Sequence, residues 1–289
     1  MAVILRYSLK DKIVFYLEYV ILKIFFIWFE VKKPKVKMFF YEMVYSVKKI
    51  MDRSFLFRSP FRDNLVSTRF GIFHIRPYTI DMSTVSPAFE RRDIDYLLRL
   101  IHRQKKVGKK ILFVDIGADI GTYAITVGNQ FKNYDKLFII AFEPAKSSYA
   151  LLEENIKINN LNSKVELYNC ALFNENDKEI EFHFDPATPT ASWLILSDSD
   201  NNNQKVITKT LDSMLREKVG EFDVLILKLD VEGVETEVLQ GGENILNYDK
   251  EVYLLVEDFV DPSVIQYLQK IGAEFICKLT PYNSWWHLH

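Results

Sequence analysis

From residue 111 onward the sequence alternates short apolar runs with longer amphipathic segments, and this alternation restricts the fold more than any other feature. The runs are ILFVDI, KLFIIAF, KVELY, DVLILKL and EVYLLV. Strands that are apolar at nearly every position are buried on both faces, as in parallel sheets covered by helices. The last segments, EFICKL and SWWHLH, flank the turn TPYN. We therefore predict an α/β domain whose mostly parallel sheet closes with an antiparallel hairpin.

Two further segments precede this domain. Residues 1–53 hold eleven Lys/Arg and five Asp/Glu, a net charge of +6 against −8 for the rest of the chain. Bulky apolar residues at helical spacing within them predict an amphipathic, basic helical extension. Residues 54–110 predict a lead-in segment with a strand, a turn and a helix. Because enzymes that act on nucleic acids usually carry a basic working surface, the acidic remainder of the chain argues against a nucleic-acid partner.

Three interpretations of the 1–53 extension stay open. Its helix packs on the protein's own core, lies in the plane of a membrane surface as a peripheral contact, or forms a homo-oligomer interface. A membrane-spanning helix is disfavoured because Glu18 and Lys23 fall near its middle, where each costs about 2.5–3.5 kcal/mol. No signal peptide is recognisable, and two cysteines build no disulfide framework. We therefore expect a cytoplasmic protein, with contact at the inner membrane surface left open.

The stretch FVDIGADIGTYAI, residues 113–125, joins the first apolar strand to a helix. In open α/β sheets ligands bind beyond the carboxyl ends of the strands. Asp115 stands near that end, and Gly117 can turn the chain there without a Cβ. Gly121 lets a ligand approach the backbone at the helix N-terminus. This corner is therefore the candidate cofactor site.

The choice of cofactor follows from what replaces the glycines. A dinucleotide site has Gly-x-Gly-x-x-Gly, but Asp119 and Thr122 occupy the second and third glycine positions. Asp119 would also repel a pyrophosphate. S-adenosylmethionine carries an ammonium, a carboxylate and a sulfonium but no phosphate, so Asp115 can organise the loop and face its positive methionyl portion. Glu143, at the end of the next strand, can accept hydrogen bonds from ribose hydroxyls. The combination favours S-adenosylmethionine.

Several segments together carry a family resemblance: FVDIGADIGTY, AFEPAKSSYALLEENIKINNL, VELYNCAL, VITKTLDSML and ILKLDVEGVETEVLQGG. They resemble the FkbM family of S-adenosylmethionine-dependent methyltransferases over roughly residues 70–260, and the upstream HIRPYTIDMS is similar to the segment before the family's core. The resemblance implies a Rossmann-like class I methyltransferase fold, with residues 111–289 as the cofactor-binding domain and the helical segment added before it.

By position, the resemblance assigns cofactor binding to a set of residues around the strand ends: Asp115, Gly117, Ala118, Gly121, Glu143, Pro144, Asn169, Cys170 and Ala171. Of these, the last three would border the adenine. Asp119 departs from the family pattern, in which a small or neutral residue is usual. The resemblance also implies methylation of a hydroxyl on a sugar, a lipid-linked glycan or a small metabolite.

Carboxylates at two further strand ends suit this chemistry. The fourth strand ends in Asp230 and Glu232, and the fifth in Glu257 and Asp258. A hydroxyl acceptor must lose its proton to a base, or have its alkoxide stabilised by a metal. We expect Asp230, Glu232 and Glu257 to be catalytic. A divalent metal held by carboxylate oxygens stays open, with no ligand set assigned.

Other functions stay open beside this one. LDVEG stands where enzymes that methylate amino groups of bases tend to carry an Asn/Asp-Pro-Pro-aromatic loop, so an oxygen acceptor is favoured. A nicotinamide-dependent oxidoreductase is the alternative in another enzyme class, and the missing glycines count against it. A cofactor-binding module without catalysis is the third hypothesis. His74 and Arg76 are within reach of the pocket, although a lone histidine near a strand end is more often structural.

Overall fold

The structure is a computed structural model that describes residues 64–76, 79, 81–85, 89–183, 194–195, 203–247, 249–260 and 262–289. The 1–53 extension and the first part of the lead-in segment lie outside these ranges. The interpretations given for the extension therefore stay predictions.

Within the described residues, the strands and helices of the central sheet follow one another in the predicted alternation, and further strands lie before and between them. In chain order they are β1 (Asn64–Ser67), β2 (Ile72–Ile75), α1 (Asp81–Thr84), α2 (Arg91–Lys106), β3 (Ile111–Ile116), α3 (Thr122–Gln130), β4 (Leu137–Phe142), α4 (Lys146–Ile158), β5 (Val165–Tyr168), β6 (Ala171–Leu172), β7 (Glu179–His183), β8 (Leu194–Ile195), β9 (Asn203–Lys209), α5 (Leu211–Val219), β10 (Val224–Leu229), α6 (Glu235–Gln240), α7 (Glu243–Leu246), β11 (Glu251–Glu257), α8 (Ser263–Lys270), β12 (Glu274–Lys278) and β13 (Asn283–Leu288).

A seven-stranded sheet in the order β12-β13-β11-β10-β3-β4-β5 forms the centre of the molecule. Neighbouring strands from β11 to β5 pair in parallel, whereas β13 pairs antiparallel with both β11 and β12. The order reverses between β3 and β10, which places the ends of β3, β4 and β10 at the switch point where ligands bind. The Rossmann-like class I fold with its closing hairpin is thereby confirmed.

Alternation along the central strands builds two cores, one on each face of the sheet. In β3, Ile111 and Phe113 pack into one hydrophobic cluster with α2 and α3, while Leu112 and Val114 pack into a second with α5, α6 and α8. Successive side chains of a strand point to opposite faces. Because both faces are covered by helices, every residue of β3 and of β10 is buried, which explains the continuous apolar runs.

The lead-in segment shares the core of this domain. Its β1–β2 hairpin replaces the single strand expected from the sequence, and β2 lies against α4. Asn155 of α4 accepts from the backbone N–H of His74 at 2.6 Å and donates to its carbonyl at 3.1 Å. Asn159 makes the equivalent pair with Ile72 at 3.0 and 2.6 Å. Two side-chain amides thus satisfy backbone groups that a neighbouring strand would otherwise pair.

Two further features complete the described fold. A small sheet in the order β6-β9-β7-β8 lies beyond β5 in the chain. The closing strand β13 carries Trp285 into one core and Trp286 into the other. In the part of the chain that the structure describes, none of the helices has both the length and the apolar character to cross a bilayer.

Candidate active site

A cavity opens beyond the carboxyl ends of β3, β4 and β10 and encloses about 860 Å³, counting the part open to solvent. Most of the residues assigned from the sequence line it: Gly117, Ala118, Glu143, Pro144, Cys170, Ala171, Asp230 and Glu232. Four others do not, namely Asp115, Gly121, Asn169 and Glu257. The structure therefore brings the strand ends to one site but divides the assigned residues between its wall and the layer behind it.

Gly117 forms the turn that directly follows β3. Its φ of 77° lies in the left-handed region, and a Cβ built there would stand 1.8 Å from the carbonyl oxygen of Asp230. No side chain fits such a separation, since the neighbour is backbone rather than a movable side chain. The turn after β3 thus packs directly on the end of β10, and this contact shapes the floor of the cavity.

Asp115 lies beneath the turn rather than against the cavity, which corrects the expectation that it faces the methionyl portion of the cofactor. Its side chain is fully buried. One carboxylate oxygen accepts a hydrogen bond from the backbone N–H of Ala124 in α3 at 3.0 Å, and the other faces the ammonium of Lys228 at 3.6 Å. Asp115 therefore joins the start of α3 to β10, which is the loop-organising part of the expected role.

Lys228 is the partner that sequence reasoning missed. Its Nζ lies 3.2 Å from a carboxylate oxygen of Asp230 and donates to the carbonyl oxygen of Gly117 at 3.1 Å. The ammonium also lies over the ring of Tyr123, 5.2 Å from its centroid. Burial alone would lower the pKa of Lys228, but Asp230 and Asp115 raise it overall, so the side chain stays charged. A lone lysine inside an apolar strand was the available sign, because a buried charge needs a partner.

Gly121 and Asn169 support the site from behind. Gly121 is the N-cap of α3 with a φ of 94°, and a Cβ there would meet Leu152 at 2.6 Å. It lies between α3 and α4 and does not line the cavity, so the expected approach of a ligand to its backbone stays a prediction. The exposed Asn169 donates to the carbonyl oxygens of Glu143 and Pro144 at 2.8 and 3.0 Å, and so holds the loop after β4 in place.

Glu143 presents a buried carboxyl group to the cavity. Its two oxygens accept from the backbone N–H groups of Asp119 and Ala145, each at 2.8 Å. Burial, followed by the nearby charge of Asp119, raises the pKa of Glu143 to about 8. Each oxygen keeps a further lone pair for a ligand hydroxyl. A buried carboxyl group at the end of β4 with unused acceptor capacity fits the ribose of a nucleoside cofactor.

Arg76 accounts for the unusual aspartate in the glycine motif. Asp119 takes a left-handed φ of 45°, and one of its oxygens accepts from Nη2 of Arg76 at 2.8 Å. The same guanidinium donates to both oxygens of the buried Asp81, at 2.8 and 2.9 Å. The carboxylate of Asp119 is therefore tied to the lead-in segment and does not close the corner. His74, the other residue placed near the pocket, pairs instead with Glu154 at 3.0 Å.

Three carboxyl groups gather where β10 and β11 end. One oxygen from each of Asp230, Glu232 and Glu257 lies within 4.8 Å of the others. Burial and then the charge of Asp230 raise the pKa of Glu232 to about 8 and that of Glu257 to about 10. Oε2 of Glu257 is buried and has no hydrogen-bond partner among the described residues. Carboxylate oxygens at this spacing also suit a hard divalent cation.

Glu235 and Asp258, the acids next to this set, make structural contacts. Glu235 accepts from the backbone N–H of Val231 at 3.0 Å and from that of Gly233, which fixes the loop carrying Glu232. Asp258 is buried and paired with Lys278.

Glu90 is a second functional candidate that the sequence did not single out. It stands at the N-cap of α2 with a left-handed φ of 38°, and it accepts from the hydroxyl of Tyr123 at 2.6 Å. Burial, with a smaller contribution from Asp230, raises the pKa of Glu90 to about 7. No local pattern marks this residue, because its importance comes from the approach of the lead-in segment to the wall of the cavity.

Comparison with known proteins identifies a family. The family described as "Methyltransferase FkbM domain" matches residues 115–274. "Methyltransferase 1" of Beauveria bassiana is 30% identical over 146 residues, which are 44% of this chain and 57% of that protein. "Methyltransferase sdnD" of Sordaria araneosa is 27% identical over 175 residues, 51% of this chain and 64% of that protein. The chain thus matches less than two thirds of either relative's length.

Among solved structures, a methyltransferase from Geobacter sulfurreducens has a TM-score of 0.40 and 13% sequence identity, covering 67% of this chain and 77% of that one.

Proposed function

The chain belongs to the FkbM methyltransferase family, and from this premise we propose that it transfers a methyl group from S-adenosylmethionine to a hydroxyl oxygen. The acceptor is a sugar, a lipid-linked glycan or a small metabolite. The observation that carries the proposal is the set of carboxyl groups at the ends of β10 and β11. A hydroxyl must lose its proton as its oxygen is methylated, and a carboxylate near the acceptor can take that proton.

The cavity fits S-adenosylmethionine, the methyl donor of this family. Glu143 would hold the ribose hydroxyls, with Cys170 and Ala171 beside the adenine. Gly117 and Ala118 would lie against the methionyl portion. The bound cofactor supplies an electrophilic methyl group on its sulfonium.

Glu232 is the strongest candidate for the base. It lines the cavity, and a pKa of about 8 lies close to the working pH, where a base is both deprotonated in part and basic enough to accept a proton. As the bond between the acceptor oxygen and the methyl carbon forms, the hydroxyl proton moves to the carboxylate of Glu232. Asp230, held by Lys228 at 3.2 Å, orients the acceptor hydroxyl.

Glu257 acts as a positioning residue in this scheme. It does not line the cavity, and its own pKa of about 10 keeps it protonated at neutral pH. Its carboxyl group lies close to Glu232, so that it can donate a hydrogen bond within the set. The nicotinamide-dependent oxidoreductase considered from the sequence is set aside by the family membership. The non-catalytic cofactor-binding module remains as the competing hypothesis.

A methyl-transfer assay separates these hypotheses. We expect label from methyl-labelled S-adenosylmethionine to appear on an oxygen of a component of a cell extract, identified by its mass shift and fragmentation. For the wild type, kcat/KM should rise with pH up to about 8. At saturating S-adenosylmethionine, kcat/KM of Glu232→Gln for the acceptor should be roughly 10²–10⁴-fold lower and should lose that pH dependence, while the affinity for S-adenosylhomocysteine is kept.

Glu217→Gln is the matched control, because Glu217 is exposed on α5 and should leave every measurement unchanged. A wild-type rate in Glu232→Gln would contradict the role of Glu232. Label on nitrogen would contradict the oxygen acceptor, and label on no component of any extract would favour the non-catalytic module.

The charge of residues 1–53 supports a further part of the proposal, a peripheral contact of the extension with an anionic membrane. The extension carries +6, and each basic residue near such a surface contributes about 1 kcal/mol. Replacing the four lysines at positions 32, 33, 35 and 37 by glutamate should abolish co-sedimentation of the full chain with phosphatidylserine vesicles. Undiminished co-sedimentation would contradict the membrane contact, and a change in oligomeric state instead would support the homo-oligomer interface.

A further inference from the structure

The β12–β13 hairpin brings two imidazoles and a carboxylate together at the outer edge of the sheet. Glu274 and His287 are cross-strand partners in the antiparallel pair. His289 follows two residues after His287 and so projects from the same side of the chain, and the two rings are 4.0 Å apart between centroids. One ligating atom from each of the three residues lies within 4.8 Å of the others. We propose that Glu274, His287 and His289 bind a first-row transition-metal ion, Zn²⁺ in particular.

The ring of His287 is held in place by stacking and has a nitrogen that is unpartnered in the described part of the chain. Its Nε2 is buried and has no hydrogen-bond partner within the described residues. The ring stacks on Tyr253, with centroids 4.5 Å apart, which limits its rotation. An unused buried ring nitrogen in a fixed ring is the second observation, beside the clustering, that points to a ligand.

The donor set selects the class of metal. Imidazole nitrogen suits zinc, copper and nickel, whereas magnesium and calcium take oxygen ligands. Tetrahedral zinc holds its ligands at about 2.0–2.2 Å, which places the donor atoms roughly 3.4 Å from one another. Glu274 and His289 are both exposed and can rotate to close the remaining gap around His287. A water molecule would fill the fourth position.

The position of the site separates it from methyl transfer. His287 pairs with Tyr253 near the start of β11, whereas Asn283 pairs with Glu257 at its end. Four residues of strand, about 13 Å, therefore lie between the hairpin cluster and the carboxyl groups of the cavity. A bound ion would join the edge strand β12 to β13, where backbone groups are otherwise open to pairing with another chain. Its expected effect is on the stability of the hairpin.

Titration of the full chain with zinc chloride tests the site. We expect the wild type to bind one Zn²⁺ by calorimetry, and its thermal midpoint to rise with zinc. His289→Ala and Glu274→Gln should each weaken this binding by more than about tenfold. Both residues are exposed, so both variants should keep the wild-type circular dichroism and methyl-transfer rate. In the Cu²⁺-loaded protein, electron paramagnetic resonance should show coupling to two imidazole nitrogens.

His102→Ala is the matched control, since His102 is exposed on α2, and it should bind zinc as the wild type does. The proposal is overturned if His289→Ala and Glu274→Gln bind zinc with wild-type affinity. It is also overturned if Glu257→Gln is the variant that abolishes zinc binding, because the ion would then lie in the cavity.

Discussion

Replacing Lys228 by methionine removes the cation that lies between Asp115 and Asp230 beneath the turn at Gly117. Lys228 is only 5% exposed. Its ammonium pairs with the carboxylates of Asp115 and Asp230 at 3.6 and 3.2 Å and donates to the carbonyl oxygen of Gly117 at 3.1 Å. Methionine has nearly the same length but no charge. Asp230 is partly exposed and can turn to water. The fully buried Asp115 cannot, and it keeps only the N–H of Ala124.

The size of the destabilisation follows from the carboxylate of Asp115, which the substitution leaves buried without a cation. Removing one partner of a buried ion pair typically costs about 3–5 kcal/mol of the free energy of unfolding. Burial already raises the pKa of Asp115 in the folded state, while Lys228 lowers it, so the substitution raises this pKa further. When the pKa of a carboxyl group is higher in the folded state than in the unfolded state, its charged form destabilises the fold at high pH. As the pH falls, the group becomes protonated in the folded state and this destabilisation is lost. The loss should therefore be largest near pH 8 and smaller near pH 5.

Urea unfolding of the wild type and of Lys228→Met at both pH values measures this difference. The double variant Asp115→Asn, Lys228→Met provides the control, because it removes the stranded charge. It should be more stable than Lys228→Met at pH 8 and should lose most of the pH dependence. A cost for Lys228→Met below about 1 kcal/mol, or one that is equal at both pH values, would refute the reasoning that Lys228 neutralises a buried Asp115.

Three further predictions concern Gly117, Glu143 and the β12–β13 hairpin. Gly117→Ala places a Cβ 1.8 Å from the carbonyl oxygen of Asp230 at a φ of 77°, so calorimetry should find no S-adenosylhomocysteine binding and unfolding should show a loss of about 2–5 kcal/mol; unchanged binding would exclude this corner as the site. Because the pKa of Glu143 is about 8 and its carboxylate form accepts hydroxyls best, wild-type affinity for S-adenosylhomocysteine should increase as the pH rises through that value, and Glu143→Gln should bind more weakly with no such increase. Asp93→Ala leaves the buried indole N–H of Trp285 without its acceptor at 2.9 Å, which should lower the free energy of unfolding by about 1–3 kcal/mol; a thermal midpoint equal to that of the wild type would contradict this.

The strand ends were predictable because they depend on local properties. Apolar runs bounded by turns predict β3, β4, β10 and β11, and parallel strands that alternate with helices end at one edge of their sheet. Acids at those ends must therefore meet. Glu143, Asp230 and Glu232 accordingly line one cavity, and Glu257 lies just behind them.

The roles of several residues could not be predicted, because they depend on what lies opposite them in space. Asp115 and Gly121 carried the expected motif, yet Asp115 faces Lys228 and Gly121 faces Leu152. Both residues therefore stabilise the turn from behind the wall of the cavity. The pattern of the motif is the same whether such a side chain points into the cavity or away from it.

The sequence by itself determined the alternation of strands and helices in the central sheet, the edge of that sheet at which the acids gather and the family to which those motifs belong. The first two follow from hydrophobic periodicity and from the backbone freedom of glycine, which act within a few residues, whereas the family rests on the resemblance of the motifs themselves. Only the tertiary structure decided the pairings of Lys228 with Asp115, of Arg76 with Asp119 and of Glu274 with His287. Each joins residues far apart in the chain, and strand register and packing, which no local pattern encodes, bring them within reach.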